Sequence, residues 1–170
     1  MIKKISLIML CLYLSVAYFI PDVAYASDEA VYECKQQLLQ KFPNVEAIKK
    51  QFGNEAKWQA RTVPSPHDPD LELRIDSMEY PGIRISTLGY THGGEDSFFI
   101  TSADVNKAGS VDFLGIDIGS AREVVIKTFG PPQKIDGNEL IYYDESEYMV
   151  IKFIFEKGIV AGMRFDNYLD

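Results

Sequence analysis

Two nine-residue stretches, 77 positions apart, constrain this chain more than anything else in it: VEAIKKQFG, Val45–Gly53, and REVVIKTFG, Arg122–Gly130. Each holds an acid at its second position, two apolar residues (Ala47 and Ile48, Val124 and Val125), a lysine, and a closing Phe-Gly. Apolar residues three and four apart fall on one face of a helix, and a glycine after the last of them suits the left-handed residue that ends one. The chain therefore carries one short amphipathic helix twice. Whether the match is a repeat depends on the strands downstream of each copy.

After the first copy, Leu71, Leu73 and Ile75 alternate with Glu72, Arg74 and Asp76, which is strand behaviour. Tyr80-Pro81-Gly82 is a turn, and Ile83–Tyr90 and Ser97–Val105 are two further strands joined by the glycine-containing THGGED. Between helix and strands, TVPSPHDPDL reads as an extended exposed loop. After the second copy, Pro131-Pro132 forbid more helix, Leu140–Tyr143 is a strand and DESE a turn. Met149, Ile151, Phe153 and Phe155 then face Ile159, Ala161, Met163 and Phe165 across Glu156-Lys157-Gly158, a hairpin. The second helix also has a start signal. Ser120 and Glu123 stand at capping-box spacing, with Val124, Val125, Thr128 and Phe129 as its inward side.

The expected fold is thus α+β: two tandem helix-plus-three-strand units forming one antiparallel sheet covered on one face by helices. Three strands with one apolar face need a cover, and two units edge to edge share one. The first, degenerate unit is placed in residues 27–110, with an N-terminal helix (DEAVYECKQQLLQKF) and the proline loop, and the second in 111–170.

Residues 1–26 read as a cleaved signal peptide. Lys3 and Lys4 precede sixteen uncharged, mostly apolar residues, and Ala24-Tyr25-Ala26 supplies the small residues a signal peptidase requires. Sixteen helical residues reach about 24 Å, short of the roughly 30 Å hydrocarbon core. Cys11 lies within the apolar run behind Leu10, which argues against a lipidated cysteine. Removing Lys3, Lys4 and Asp22 takes the net charge from −8 to −9. Such an acidic chain has little affinity for phosphate, so nucleic acid and anionic membrane surfaces are not expected partners. One cysteine remains, Cys34, on the apolar face of the first helix with Val31 and Leu38, where a buried thiol is expected. The expected location is exported, periplasmic or secreted, with no stable membrane anchor after cleavage.

Gly115-Ile116-Asp117-Ile118-Gly119-Ser120, Glu123-Val124-Val125, Phe129-Gly130-Pro131, the Tyr-Tyr strand and the closing hairpin resemble one unit of the SmpA/OmlA (BamE) outer-membrane lipoproteins and of the β-lactamase inhibitor proteins (BLIP), which carry two such units. The match spans about residues 115–165; 45–105 resembles it as a degenerate copy. The resemblance implies a helix-covered antiparallel sheet and a non-catalytic protein that works by contact. This chain lacks the lipidated cysteine of the first group and the internal disulfides of the second.

Chemistry-bearing motifs are sparse. No Gly-x-Ser-x-Gly elbow, Walker loop or Gly-x-Gly-x-x-Gly occurs. His67-Asp68-Pro69-Asp70 and His92-Gly93-Gly94-Glu95-Asp96 would make a divalent-metal site only if their loops met, and GGED lacks the phenylalanine of the nucleotide-cyclase hairpin. Asp144, Glu145 and Glu147 are the paired acids a glycosidase reading would use, and a solvated hairpin end otherwise. No cofactor or metal is expected. Tyr80, Tyr90, Tyr142, Tyr143 and Tyr148 fall in or beside strands, and consecutive Tyr142-Tyr143 must put one ring on each face. With His92 and Asp144 they form the candidate surface for another exported or envelope protein, because rigid rings lose little entropy on docking. The competing expectations are an inhibitor of an exported hydrolase, a metal- or carboxylate-dependent hydrolase, and a structural envelope component.

Overall fold

The computed structural model describes residues 27–54, 57–68, 70–92 and 95–168. The expected signal peptide and the Gly93-Gly94 loop tip lie outside them.

Helix α1, Ser27–Lys41, has Asp28 and Glu29 in its first turn and Lys41 in its last, matching the helix dipole. It buries Ala30, Val31, Cys34 and Leu38. Helix α2, Val45–Phe52, starts at Asn44, whose side chain accepts from the Ala47 amide at 2.9 Å, and stops at Gly53 with φ 93°. Helix α3, Arg122–Phe129, ends at Gly130. The expected capping box at its start does not form. Ala121 holds the N-cap position without a side-chain bond. The Ser120 hydroxyl accepts from the Asp117 amide at 3.0 Å, and its carbonyl accepts from the Val160 amide at 2.9 Å. Ser120 fastens the helix entry to the sheet instead. On α3, Val125 and Phe129 are buried, but Val124, expected inward, is 46% exposed.

The described strands join one eight-stranded antiparallel sheet. In chain order they are β1 (Lys57–Pro64), β2 (Glu72–Tyr80), β3 (Ile83–His92), β4 (Glu95–Val105), β5 (Lys134–Asp136), β6 (Glu139–Tyr143), β7 (Met149–Glu156) and β8 (Ile159–Asn167). Their spatial order is β1-β2-β3-β4-β8-β7-β6-β5, so the two halves meet through their last strands. Each Phe-Gly helix is followed by four strands rather than three. The extra ones are β1 and β5, the outermost strands of the sheet. The segment Thr62–Pro64, expected as loop, is the end of β1 and pairs with Glu72–Arg74.

Helix α1 contacts β4, β6 and β7, along with α3. Under the helices the Phe129 ring lies 5.2 Å from Tyr142 and 4.9 Å from Phe153, while Phe52 lies 5.3 Å from Tyr80. Ile151, Phe153, Met163 and Phe165 are buried on that face as the alternation implies. The end of the hairpin is not. Phe155 pairs with Val160 and Ile154 with Gly162, so Ala161 is an unpaired bulge residue. A bulge shifts the phase of everything beyond it. Val160 is therefore buried at 1%, and Ile159, expected inward, is 48% exposed.

Candidate functional site

Register partners share a face of an antiparallel sheet, so the pairing sorts each strand into a core side and an open side. On β2, Met78 and Tyr80 carry the core side, and the apolar row Leu73 and Ile75 carries the open one. Ile75 is paired with Leu88, and Leu88 with Phe99; all three are half-buried. Tyr90, two residues along the same face, stacks on Phe99 with ring centroids 6.0 Å apart. These residues make an apolar field on the open side of β2–β4.

A second field lies across the sheet on β6 and β7. Tyr143 is paired with Val150, and Ile141 with Lys152. Ile141 and Val150 are buried although no core residue is their register partner. Ile141 is flanked by Lys134 and Lys152, whose aliphatic stems can cover it, and Val150 by Tyr143 and Asp166. Between the fields runs a charged row at the β4–β8 joint. The Arg164 Nε donates to Asp166 Oδ2 at 2.7 Å and lies 3.6 Å from Asp104 Oδ1. The hydrogen bond from Arg164 to Asp166 raises the guanidinium's pKa further. Arg84 and Lys57 both approach Glu79, at 3.8 and 3.9 Å.

Five of the seven residues picked from the sequence are on the surface. Tyr142 is fully buried, its hydroxyl donating to the Gly130 carbonyl at 3.2 Å, and Tyr80 is 6% exposed. Both belong to the core and present no ring to a partner. Tyr143 and Tyr90 lie on the open face, and His92 is exposed at the end of β3. Asp144 accepts from the Met149 amide at 2.8 Å, which closes the turn before β7. With the 44%-exposed Tyr148, Lys35, Ser146 and Tyr168 it lines a 350 Å³ hollow at the top of β7 and β8.

Three features of the structure had no signal in the sequence, the first on the open face and the other two centred on the side that bears Met78 and Tyr80. Leu88 and Phe99 have the pattern of ordinary strand residues, and only pairing shows that they share the open face. Trp58 is the second. Its indole donates to Asp76 Oδ1 at 2.8 Å while Lys49 Nζ sits 4.2 Å above the ring, joining α2 to β1. The third is a 730 Å³ hollow lined by Thr62, Asp70, Glu72, Arg74, Thr91 and Asp96. Its Arg74 is already engaged by the buried carboxylate of Asp76 at 2.9 Å.

Among the described residues, no three His, Cys, Asp or Glu side chains converge to hold a metal. Cys34 is free and fully buried, and burial, aided by Asp112, pushes its pKa well above that of an ordinary thiol. No described helix is long and apolar enough to cross a membrane. No protein family, curated protein or solved structure matches this chain.

Proposed function

We propose that the mature chain is an exported, non-catalytic protein-binding module, built from two copies of one helix-plus-four-strand unit and acting through its open sheet face and hairpin loops. The observation that carries the reading is that face: an apolar field, Leu73–Ile75–Leu88–Phe99, and the half-buried Tyr143 on either side of an ion-paired row. Apolar centres edged by charges suit a protein contact, because the apolar area supplies affinity and the fixed charges set orientation.

Duplication is supported by the mirrored strand order and by one repeated contact. The last residue of α2, Phe52, packs on Tyr80 of β2, and the last residue of α3, Phe129, packs on Tyr142 of β6. In each half the tyrosine stands on the second strand after the helix. That repeat is what the resemblance to the SmpA/OmlA and β-lactamase inhibitor proteins implies. A second reading, an inhibitor of an exported hydrolase, is favoured by one observation: β3 and β4 pair as far as His92↔Glu95, whereas β8 leaves β4 at Ser102, so their hairpin projects beyond its neighbour.

The test is affinity capture of tagged residues 27–170 from periplasm or culture fluid, beside the variants Ile75→Lys and Leu88→Lys. A partner retained by the parent, and reduced at least about tenfold by either variant, is the expected outcome; one buried charge at an apolar contact costs that much or more. Capture of nothing, with one zinc bound per chain, would overturn the reading. Inhibition of a captured hydrolase would decide for the second one.

A further inference from the structure

Strand β1 is the longer of the sheet's two outermost strands, eight residues against three in β5, and among the described strands it pairs with β2 alone. In an antiparallel ladder every second residue turns its N–H and C=O away from its partner, so the outer side of β1 presents a row of backbone donors and acceptors. Within residues 27–170 no undescribed stretch is longer than two residues, too short to fill that lane as a strand. Both faces of β1 are open as well: Lys57 to Thr62 are exposed without interruption.

The same strand carries two residues of the kind that anchor protein contacts. Trp58, 44% exposed, is held by its bond to Asp76 and by Lys49 over its ring. Arg61 points to the opposite face, and its guanidinium makes no ion pair or hydrogen bond among the described residues. Arg61 is paired with Ile75, Ile75 with Leu88 and Leu88 with Phe99, so the apolar row of the open face runs outward to this cation. A 420 Å³ hollow lined by Gln59, Arg61, Ile75, Ser77 and Ser86 joins the two.

We propose that an acidic, extended segment of the partner protein pairs with the outer side of β1 as an added strand. This rests on the protein-binding reading and names its mode and the partner's chemistry. β1 holds Lys57 and Arg61 and no acid, the two cations standing four residues apart on one face. A matching strand places carboxylates four apart on that face and an apolar side chain on the other, beside Trp58. The same cations disfavour a second copy. Two β1 edges related by a twofold axis would lay Lys57 and Arg61 of one chain against those of the other on a single face. Lysine and proline commonly blunt an edge. Here Pro64 is the last residue of β1 and leaves Lys57–Val63 free of proline, while Lys57 leans toward Glu79, 3.9 Å away. The edge thus repels its own kind and accepts an acidic strand.

The probe is a labelled peptide, GTVEFTVEG, added to residues 27–170, with GTVKFTVKG as its charge-reversed control. A third peptide is GTVEFTVEG N-methylated at its central Glu and Phe, one of which must turn its N–H toward β1. Fluorescence anisotropy reads affinity, and amide hydrogen exchange reads place. GTVEFTVEG should slow exchange of amides within Lys57–Val63 by about tenfold or more. GTVKFTVKG should bind about fivefold more weakly, and the N-methylated peptide not at all. Arg61→Glu should reverse the order of the two charged peptides, a gain for GTVKFTVKG that misfolding cannot produce. No binding, equal binding of the charged peptides, an order unchanged in Arg61→Glu, or binding that leaves β1 exchange unaltered would overturn the proposal. Its failure is separable from that of the binding reading: capture still sensitive to Ile75→Lys and Leu88→Lys, with β1 unprotected, removes only the added strand.

Discussion

Tyr80 packs against Phe52 and Tyr142 against Phe129, yet their hydroxyls have different fates. Tyr142 donates to the Gly130 carbonyl, whereas the buried Tyr80 hydroxyl has no partner among the described residues. Burial, opposed by Arg122, pushes the Tyr142 phenol from 10 up to about 12. A group whose pKa is raised on folding contributes stability that is intact below its unfolded value and lost as pH climbs through the folded one. Denaturant midpoints should therefore hold up to about pH 10 and fall between about pH 10 and 12. Tyr142→Phe should flatten that fall while costing about 1 kcal/mol at neutral pH. Tyr80→Phe removes a hydroxyl that bonds no described group, and should leave neutral-pH stability unchanged or slightly raised. An equal loss for both variants would contradict the assignment of partners.

Among the elements, those that local chemistry dictates were legible. Gly53 ends α2 as its residue type requires, and the Tyr80-Pro81-Gly82 turn joins β2 to β3. Two kinds of feature were not. β1 is exposed at nearly every position and has no alternation to read, because an edge strand over open space is defined by its neighbour's hydrogen bonds alone. The bulge at Ala161 was also hidden, since Ile159 and Val160 are equally apolar and only the register says which turns inward. That choice has a direct consequence. Val160→Asp should lose about 3 kcal/mol or more in chemical unfolding, because it buries an unpaired charge, and Ile159→Asp less than about 1 kcal/mol. The reverse order would mean that the hairpin runs without its bulge. The capping box failed for a related reason: Ser120 had a tertiary use, its carbonyl taken by Val160, that no local spacing reveals.

Over the whole molecule, the eight described strands form one antiparallel sheet that helix α1 contacts, with its two halves joined by the four register pairs from Ser102↔Asp166 to Val105↔Met163. The candidate surface was half legible at this level. Adjacent Tyr142 and Tyr143 had to point to opposite faces, and they do, but which face is open depends on where the helices pack. Leu88, Phe99 and Arg164 join the surface only through pairing between strands, in the last case strands distant in sequence. Everything proposed for this protein turns on the open face being where a partner sits. Hydroxyl-radical footprinting of residues 27–170, alone and with the captured partner, reads out that face residue by residue. Labelling of Tyr90, Phe99 and Tyr143 should drop together on binding, while Tyr32 and Ile126, exposed on α1 and α3, keep their free-state rates. Protection of Tyr32 and Ile126, with Tyr90, Phe99 and Tyr143 unchanged, would place the contact on the helical side and contradict the proposal.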